Sequence, residues 1–177
     1  MELVAWLAGQ AHSDSPSCTS PVVAALVRAW NDALPSDAAR NYFLRPLLPR
    51  LVHTVGDAEV ETSRGLLVLD CMVRTLLPAW LEQQGDGTRA TALTALRPIR
   101  SPGAAIAVRA ELGGEDAGAF LVDWSIRMAT RGAVPSHWVP NAIRLLTMCL
   151  PTRHEVADEL LHRLLRVGAG AAASPTR

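Results

Sequence analysis

Residues 66–77 read Leu66-Leu67-Val68-Leu69-Asp70-Cys71-Met72-Val73-Arg74-Thr75-Leu76-Leu77, and the organisation of the chain can be built outward from them. Only Asp70, Arg74 and Thr75 are polar. A helix that is apolar on nearly every face must be covered on several sides by other helices. A central helix is therefore expected over about 57–77, starting after Gly56. Its first part, Asp57 to Arg64, is charged and expected at the surface. Pro78 is expected to kink or end it, because proline has no N–H to donate and its ring clashes with the preceding turn. A second apolar stretch predicts another central helix over about 116–130.

Outward from these two, helix signals recur and strand signals do not. Ser20-Pro21 reads as an N-cap followed by proline at the first helical position. The stripe Val22, Val23, Leu26, Val27, Trp30 then has the i, i+3/i+4 spacing of a buried helix face. Ser36 caps a helix towards Leu44, with Asp37 well placed for the helix dipole. Pro46 and Pro49 break or kink the chain beyond Leu44. Thr88 to Leu96 gives a short helix stopped by Pro98. Ser101-Pro102 opens a helix through Leu112, closed by Gly113-Gly114. Pro140 begins the next, and Thr152 caps a last amphipathic helix reaching Val167. Leu3 to Gln10 forms a short helix ahead of a stretch rich in serine and proline. No run alternates apolar and polar residues between turn signals. The fold class expected is all-α, with about eight helices in a compact bundle or a short stack of helical hairpins. Residues 1–167 form a single domain, and 168–177 read as a flexible tail.

Composition fits this architecture. Of 177 residues, 49% are hydrophobic and 5% aromatic, so the apolar content is carried by the strong helix formers alanine and leucine. A chain this long buries roughly 70% of its unfolded surface and needs no disulfide or metal staple. All 17 cationic side chains are arginine. That usage suggests a GC-rich bacterial genome, and it excludes Schiff-base chemistry and a Walker-type phosphate loop. The 17 acidic residues balance the arginines. No basic stripe marks a nucleic-acid surface, and no apolar run is long enough to span a membrane. The N-terminal apolar run is too short for a signal peptide. Cys18, Cys71 and Cys149 are odd in number and far apart, so a reducing cytoplasm is expected.

An internal echo connects the two central helices. Shifted by 53 residues, Gly65 falls on Gly118, Asp70 on Asp123, Arg74 on Arg127, Leu93 on Leu146 and Pro98 on Pro151. This suggests a duplication of 57–98 as 110–151, as in stacked helical repeats. It also repeats an Asp/Arg pair at i, i+4 spacing, which brings each acid and its arginine together on one helix face. The four residues Asp70, Arg74, Asp123 and Arg127 have two readings. One is a cluster of acids facing a polar ligand or doing acid/base work. The other, which the repetition favours, is a set of buried ion pairs that fixes helix packing.

Other polar residues carry less. Glu155, Glu159, His162 and Arg166 form a stripe, and Glu159-x-x-His162 has the spacing of a diiron ligand pair. No second copy accompanies it, so a solvated face is expected. Cys18 in its loop can be drawn with His53 as a nucleophile pair, without a local signature. His137 beside Trp138 reads as a loop residue. Four of the five tryptophans lie on apolar faces and read as packing anchors. No catalytic motif, metal site or cofactor loop is identified. The function expected is a non-enzymatic helical interaction module, a scaffold, adaptor or immunity-type protein of a bacterial cytoplasm. Its partner is another protein, with Trp6 and Trp30 as exposed contact residues. The alternatives are a bundle holding a small apolar or amphipathic ligand in an internal pocket, and an enzyme built on the Asp/Arg cluster.

Overall fold

The computed structural model describes residues 1–14, 16–149 and 153–168, and every regular element among them is helical. The elements are α1 (Glu2–Leu7), α2 (Pro21–Ala33), α3 (Asp37–Phe43), α4 (Leu48–Leu51), α5 (Ala58–Cys71), α6 (Leu77–Gln83), α7 (Gly87–Thr94), α8 (Pro102–Val108), α9 (Ala117–Thr130), α10 (Pro135–Trp138), α11 (Pro140–Cys149) and α12 (Arg153–Arg166). The expected Thr152 cap and all but the first residue of the expected tail lie outside the described residues.

Helix starts track side-chain chemistry closely. Ser20, Ser36, Asp57, Asp86, Ser101 and Asp116 each accept a hydrogen bond from the N–H three residues on. These oxygens satisfy donors that the helix itself leaves free. Pro21 and Pro102 occupy first-turn positions, where a missing N–H costs nothing.

Pro78 perturbs the central stretch, as expected, without ending it. The helix does not stop there. It widens into a π turn at Met72–Leu76, closed by the Leu77 N–H donating to the Met72 carbonyl, and continues as α6 to Gln83. Pro78 has no N–H for the carbonyl four residues back, and the extra residue in the wide turn absorbs that loss. Counting α5 and α6 as one run, eight helices of seven residues or more are present among the described residues. Val68, Leu69, Cys71, Met72, Val73, Leu76 and Leu77 are all buried, as a central helix requires.

α9, the second expected central helix, packs against α5, α6, α8, α10 and α11, and α11 is as central as α9. α11 packs against α2, α6, α9, α12 and the π turn, and buries Asn141, Ala142, Ile143, Leu145 and Leu146. α9 buries one face only, through Gly118, Ala119, Val122, Ser125 and Ile126, and turns Phe120 outward. Two indoles tie the first central stretch to α9 and α10. Trp80 of α6 lies over Gly118, where a Cβ would come within 2.8 Å of its ring; Trp138 of α10 lies over Gly65, where a Cβ would sit at 3.5 Å. The glycines that coincide in the 53-residue echo are thus both seats for a tryptophan from another helix. α7 and α11 also begin 53 residues apart, while α6 has a turn as its counterpart.

Candidate functional site

The stretch from Asp57 to Ser63 is mostly exposed, as expected, but Arg64 is not. Arg64 is only 4% exposed and forms the hub of the main buried polar network. Its Nη1 donates to Glu61 Oε1 and to the Thr54 carbonyl, each at 2.6 Å. Its Nε and Nη2 donate to the carbonyls of Leu164 and Val167, at 3.2 and 2.9 Å. Glu61 in turn accepts from Ser20 Oγ at 2.6 Å and from the Gly56 N–H at 3.2 Å. A cation therefore closes the C-terminal end of α12, where free carbonyls and the negative end of the dipole gather. The same residue ties α12 to α5 and, through Glu61, to the cap of α2. Every polar group is matched, so this network is structural. The Glu61-x-x-Arg64 spacing was the available signal, but it gives no hint of the carbonyls a hundred residues away.

The two Asp/Arg pairs form, but in different settings. Asp70 is 8% exposed, and its carboxylate receives Arg74 Nη1 at 3.4 Å from both oxygens. Its closer partner is the Ile99 N–H, at 2.9 Å to Oδ1. Asp70 thus pins the loop after Pro98 to the middle of the central helix. Asp123 is only partly buried and takes two arginines, Arg127 Nε at 2.7 Å and Arg109 Nε at 2.6 Å. Asp70 is buried with its arginine half-buried, whereas Asp123 is only partly buried because α9 has an open outer face. The four residues do not converge. Asp70 and Arg74 line one cleft, with Pro98, Ile99, Arg100 and Arg163, and Asp123 lines another beside Gly113, Gly114 and Phe120.

The remaining candidates separate in the same way. Trp6 is 72% exposed, whereas Trp30 is 1% exposed and donates its indole N–H to His154 Nδ1 at 3.2 Å. Trp30 is a core anchor, and its expected role as an exposed contact is corrected; a helix with a full apolar stripe turns that stripe inward. Cys18 is buried rather than exposed, with its Sγ against Thr19 Oγ1, while His53 is exposed. Burial pushes the Cys71 thiol up to about 12 against the pull of the Arg163 charge, so it is not a nucleophile at neutral pH. Glu155 and Glu159 face solvent; His162 makes close contacts with Arg50 Nη1 at 2.7 Å and the Asp158 carbonyl at 2.9 Å. Among the described residues, no group of three His, Cys, Asp or Glu side chains has the spacing to hold a metal. No described helix is long and apolar enough to cross a membrane.

The clefts also differ in character. A largely apolar one lies between α2, α5, α8, α9 and α10, with Leu66, Leu69 and Trp138 in its wall. Its volume is about 250 Å³, below the roughly 300–1,000 Å³ of ligand pockets. The cleft beside Asp70 is about 450 Å³ and polar. On the N-terminal side, α1 buries Val4 and Ala5 and leaves Leu3, Trp6 and Leu7 exposed. Their spacing of i, i+3 and i+4 gathers them into one ridge on the helix. Beside the ridge is a groove lined by Leu3, Val27, Leu44 and Leu48, with Arg45, Asn31 and Asn41 also lining it. No family model, no curated protein and no solved structure matches the chain.

Proposed function

We propose that this protein is a non-enzymatic helical interaction module, an adaptor, scaffold or immunity-type protein of a bacterial cytoplasm, which docks another protein through α1. The observation that carries this reading is the ridge of Leu3, Trp6 and Leu7 on a helix whose opposite side is already seated. Scattered exposed apolar residues are ordinary, but three neighbours on one helix face beside a groove of mixed apolar and polar lining make a contiguous patch of the kind that marks protein contacts. Tryptophan at its centre supplies the large, rigid anchor that dominates interface energetics. The groove beside it offers a floor for an apolar side chain and polar groups for the rim.

Quantitative affinity capture from a bacterial lysate tests this reading, using the parent, Trp6→Ser and Phe120→Ser. Phe120 is a large exposed side chain on α9 and serves as the control. The expected result is a discrete partner captured by the parent and by Phe120→Ser, and reduced about tenfold or more with Trp6→Ser, given a central hot spot of about 2 kcal/mol or more. Equal capture by all three proteins contradicts the reading.

A further inference from the structure

The cleft beside Asp70 holds an imbalance of charge that the packing of the helices does not require. Arg74, Arg100 and Arg163 line it, from the π turn, the loop after Pro98 and α12; Asp70 is the only carboxylate among the described residues of its wall. Arg100 and Arg163 are absent from the ion pairs among the described residues. Arg74 uses one nitrogen, Nη1, in a long contact with Asp70, and its Nε is buried with no hydrogen-bond partner. A buried donor left unmatched costs about 1–3 kcal/mol, and structures usually satisfy such groups. Asp70 does not supply the missing acceptor, because its contact with Arg74 runs to Nη1, at 3.4 Å from each oxygen, and not to Nε. The result is a guanidinium paired with a carboxylate by a long contact and left with an unmatched donor. Two more guanidiniums stand on the same cleft.

We propose that this cleft binds a small organic oxyanion, a carboxylate or a phosphate monoester, whose head is held by Arg74, Arg100 and Arg163. The planar guanidinium presents paired donors that match two oxygens of such a group. Leu66, Leu67 and Val167 form the apolar part of the wall and receive the body of the ligand. The volume of about 450 Å³ suits a molecule of one ring with its head group. The π turn beside Pro78 places Arg74 where it is, and such turns are frequent at functional sites. None of the lining residues belongs to α1, so this site and the proposed docking ridge stand or fall separately.

NMR titration of the ¹⁵N-labelled protein at constant ionic strength tests the proposal, with phenyl phosphate, phenylacetate and inorganic phosphate as probes. The expected result is saturable shifts of the Ile99 amide and the Arg74 Nε–H with at least one of the two aromatic probes. Which of the two binds more tightly identifies the head group. Inorganic phosphate is expected to bind about tenfold or more weakly than phenyl phosphate, having no body to place on the apolar wall. Arg163→Gln, alone and with Arg100→Gln, is expected to weaken binding about tenfold or more while the remaining spectrum stays dispersed and unchanged. Arg131→Gln, at an exposed arginine just past the end of α9, is expected to change nothing. The proposal is overturned by the absence of saturation with every probe up to about 10 mM, by inorganic phosphate binding as tightly as phenyl phosphate, or by a folded Arg163→Gln that binds like the parent.

Discussion

At the scale of single residues, the chain places its charges by how many acceptors surround them. Arg64 has four, and removing it strands Glu61 in a largely buried setting and reopens the end of α12. Arg64→Ala is expected to cost about 3–5 kcal/mol, the range for breaking a buried pair from one side. Asp70→Ala leaves the Ile99 amide unmatched and is expected to cost about 1–3 kcal/mol; Asp70→Asn keeps an acceptor there and is expected to cost less. Asp123→Ala removes a partly exposed pair and is expected to cost about 0.2–1 kcal/mol. Urea midpoints for the four variants check the order, and Asp123→Ala matching Arg64→Ala would contradict it. Cys71 gives a pH signature. Its thiol is raised in the folded state, to about 12, so the unfolded chain loses that proton first as pH rises. Stability contributed by the neutral thiol is therefore full below about 8.5 and declines towards 12, by at most about 1.4 kcal/mol per pH unit. No lysine titrates in that window to mask it. The urea midpoint is expected to fall between pH 8 and pH 10.5 in the parent, and to fall less in Cys71→Ala.

At the scale of elements, the two glycines under tryptophans make opposite predictions from one geometry. A Cβ on Gly118 would sit 2.8 Å from the Trp80 ring and 2.9 Å from Leu77 Cδ1, so something must shift. Gly118→Ala is expected to destabilise by about 1–3 kcal/mol through overpacking. A Cβ on Gly65 would sit 3.5 Å from Trp138, an ordinary contact. Gly65→Ala is expected to stabilise, by up to about 1 kcal/mol, because alanine restores helix propensity without a clash. Thermal or urea unfolding of the two variants reads the signs directly; the same sign in both would show that the indoles are not seated as described. The elements were also where the sequence was most legible. Caps at Ser20, Ser36 and Ser101 announce themselves, since a side-chain oxygen before a helix start is a local signal. The π turn is not local in that sense: Pro78 shows that the helix is perturbed, but whether it breaks or widens depends on what holds the far side. α10, four residues long, has too few positions to show a period.

At the scale of the whole molecule, the all-α architecture was legible from the apolar stretch 66–77 and its neighbours. The central place of α11 beside α9 was not, because it depends on which helices surround it. Exposure failed for the same reason at Trp30, whose stripe is the signature of an inward face, and at Arg64, whose partners come from distant carbonyls. The polar cleft was half legible. Asp70 and Arg74 stand out in the sequence, while Arg100 and Arg163 join them only through the tertiary arrangement of a loop and α12. The surface proposed for a partner is the ridge on α1, and there Trp6 was legible as a candidate though not as the centre of a patch. The direct measurement is site-specific photocrosslinking in the cell that makes the protein, with benzoylphenylalanine placed at Trp6 and, in a second variant, at Phe120. The account expects one discrete heavier product with a second protein from position 6 and none of that product from position 120. No product from position 6, or the same product from both positions, would contradict docking through α1.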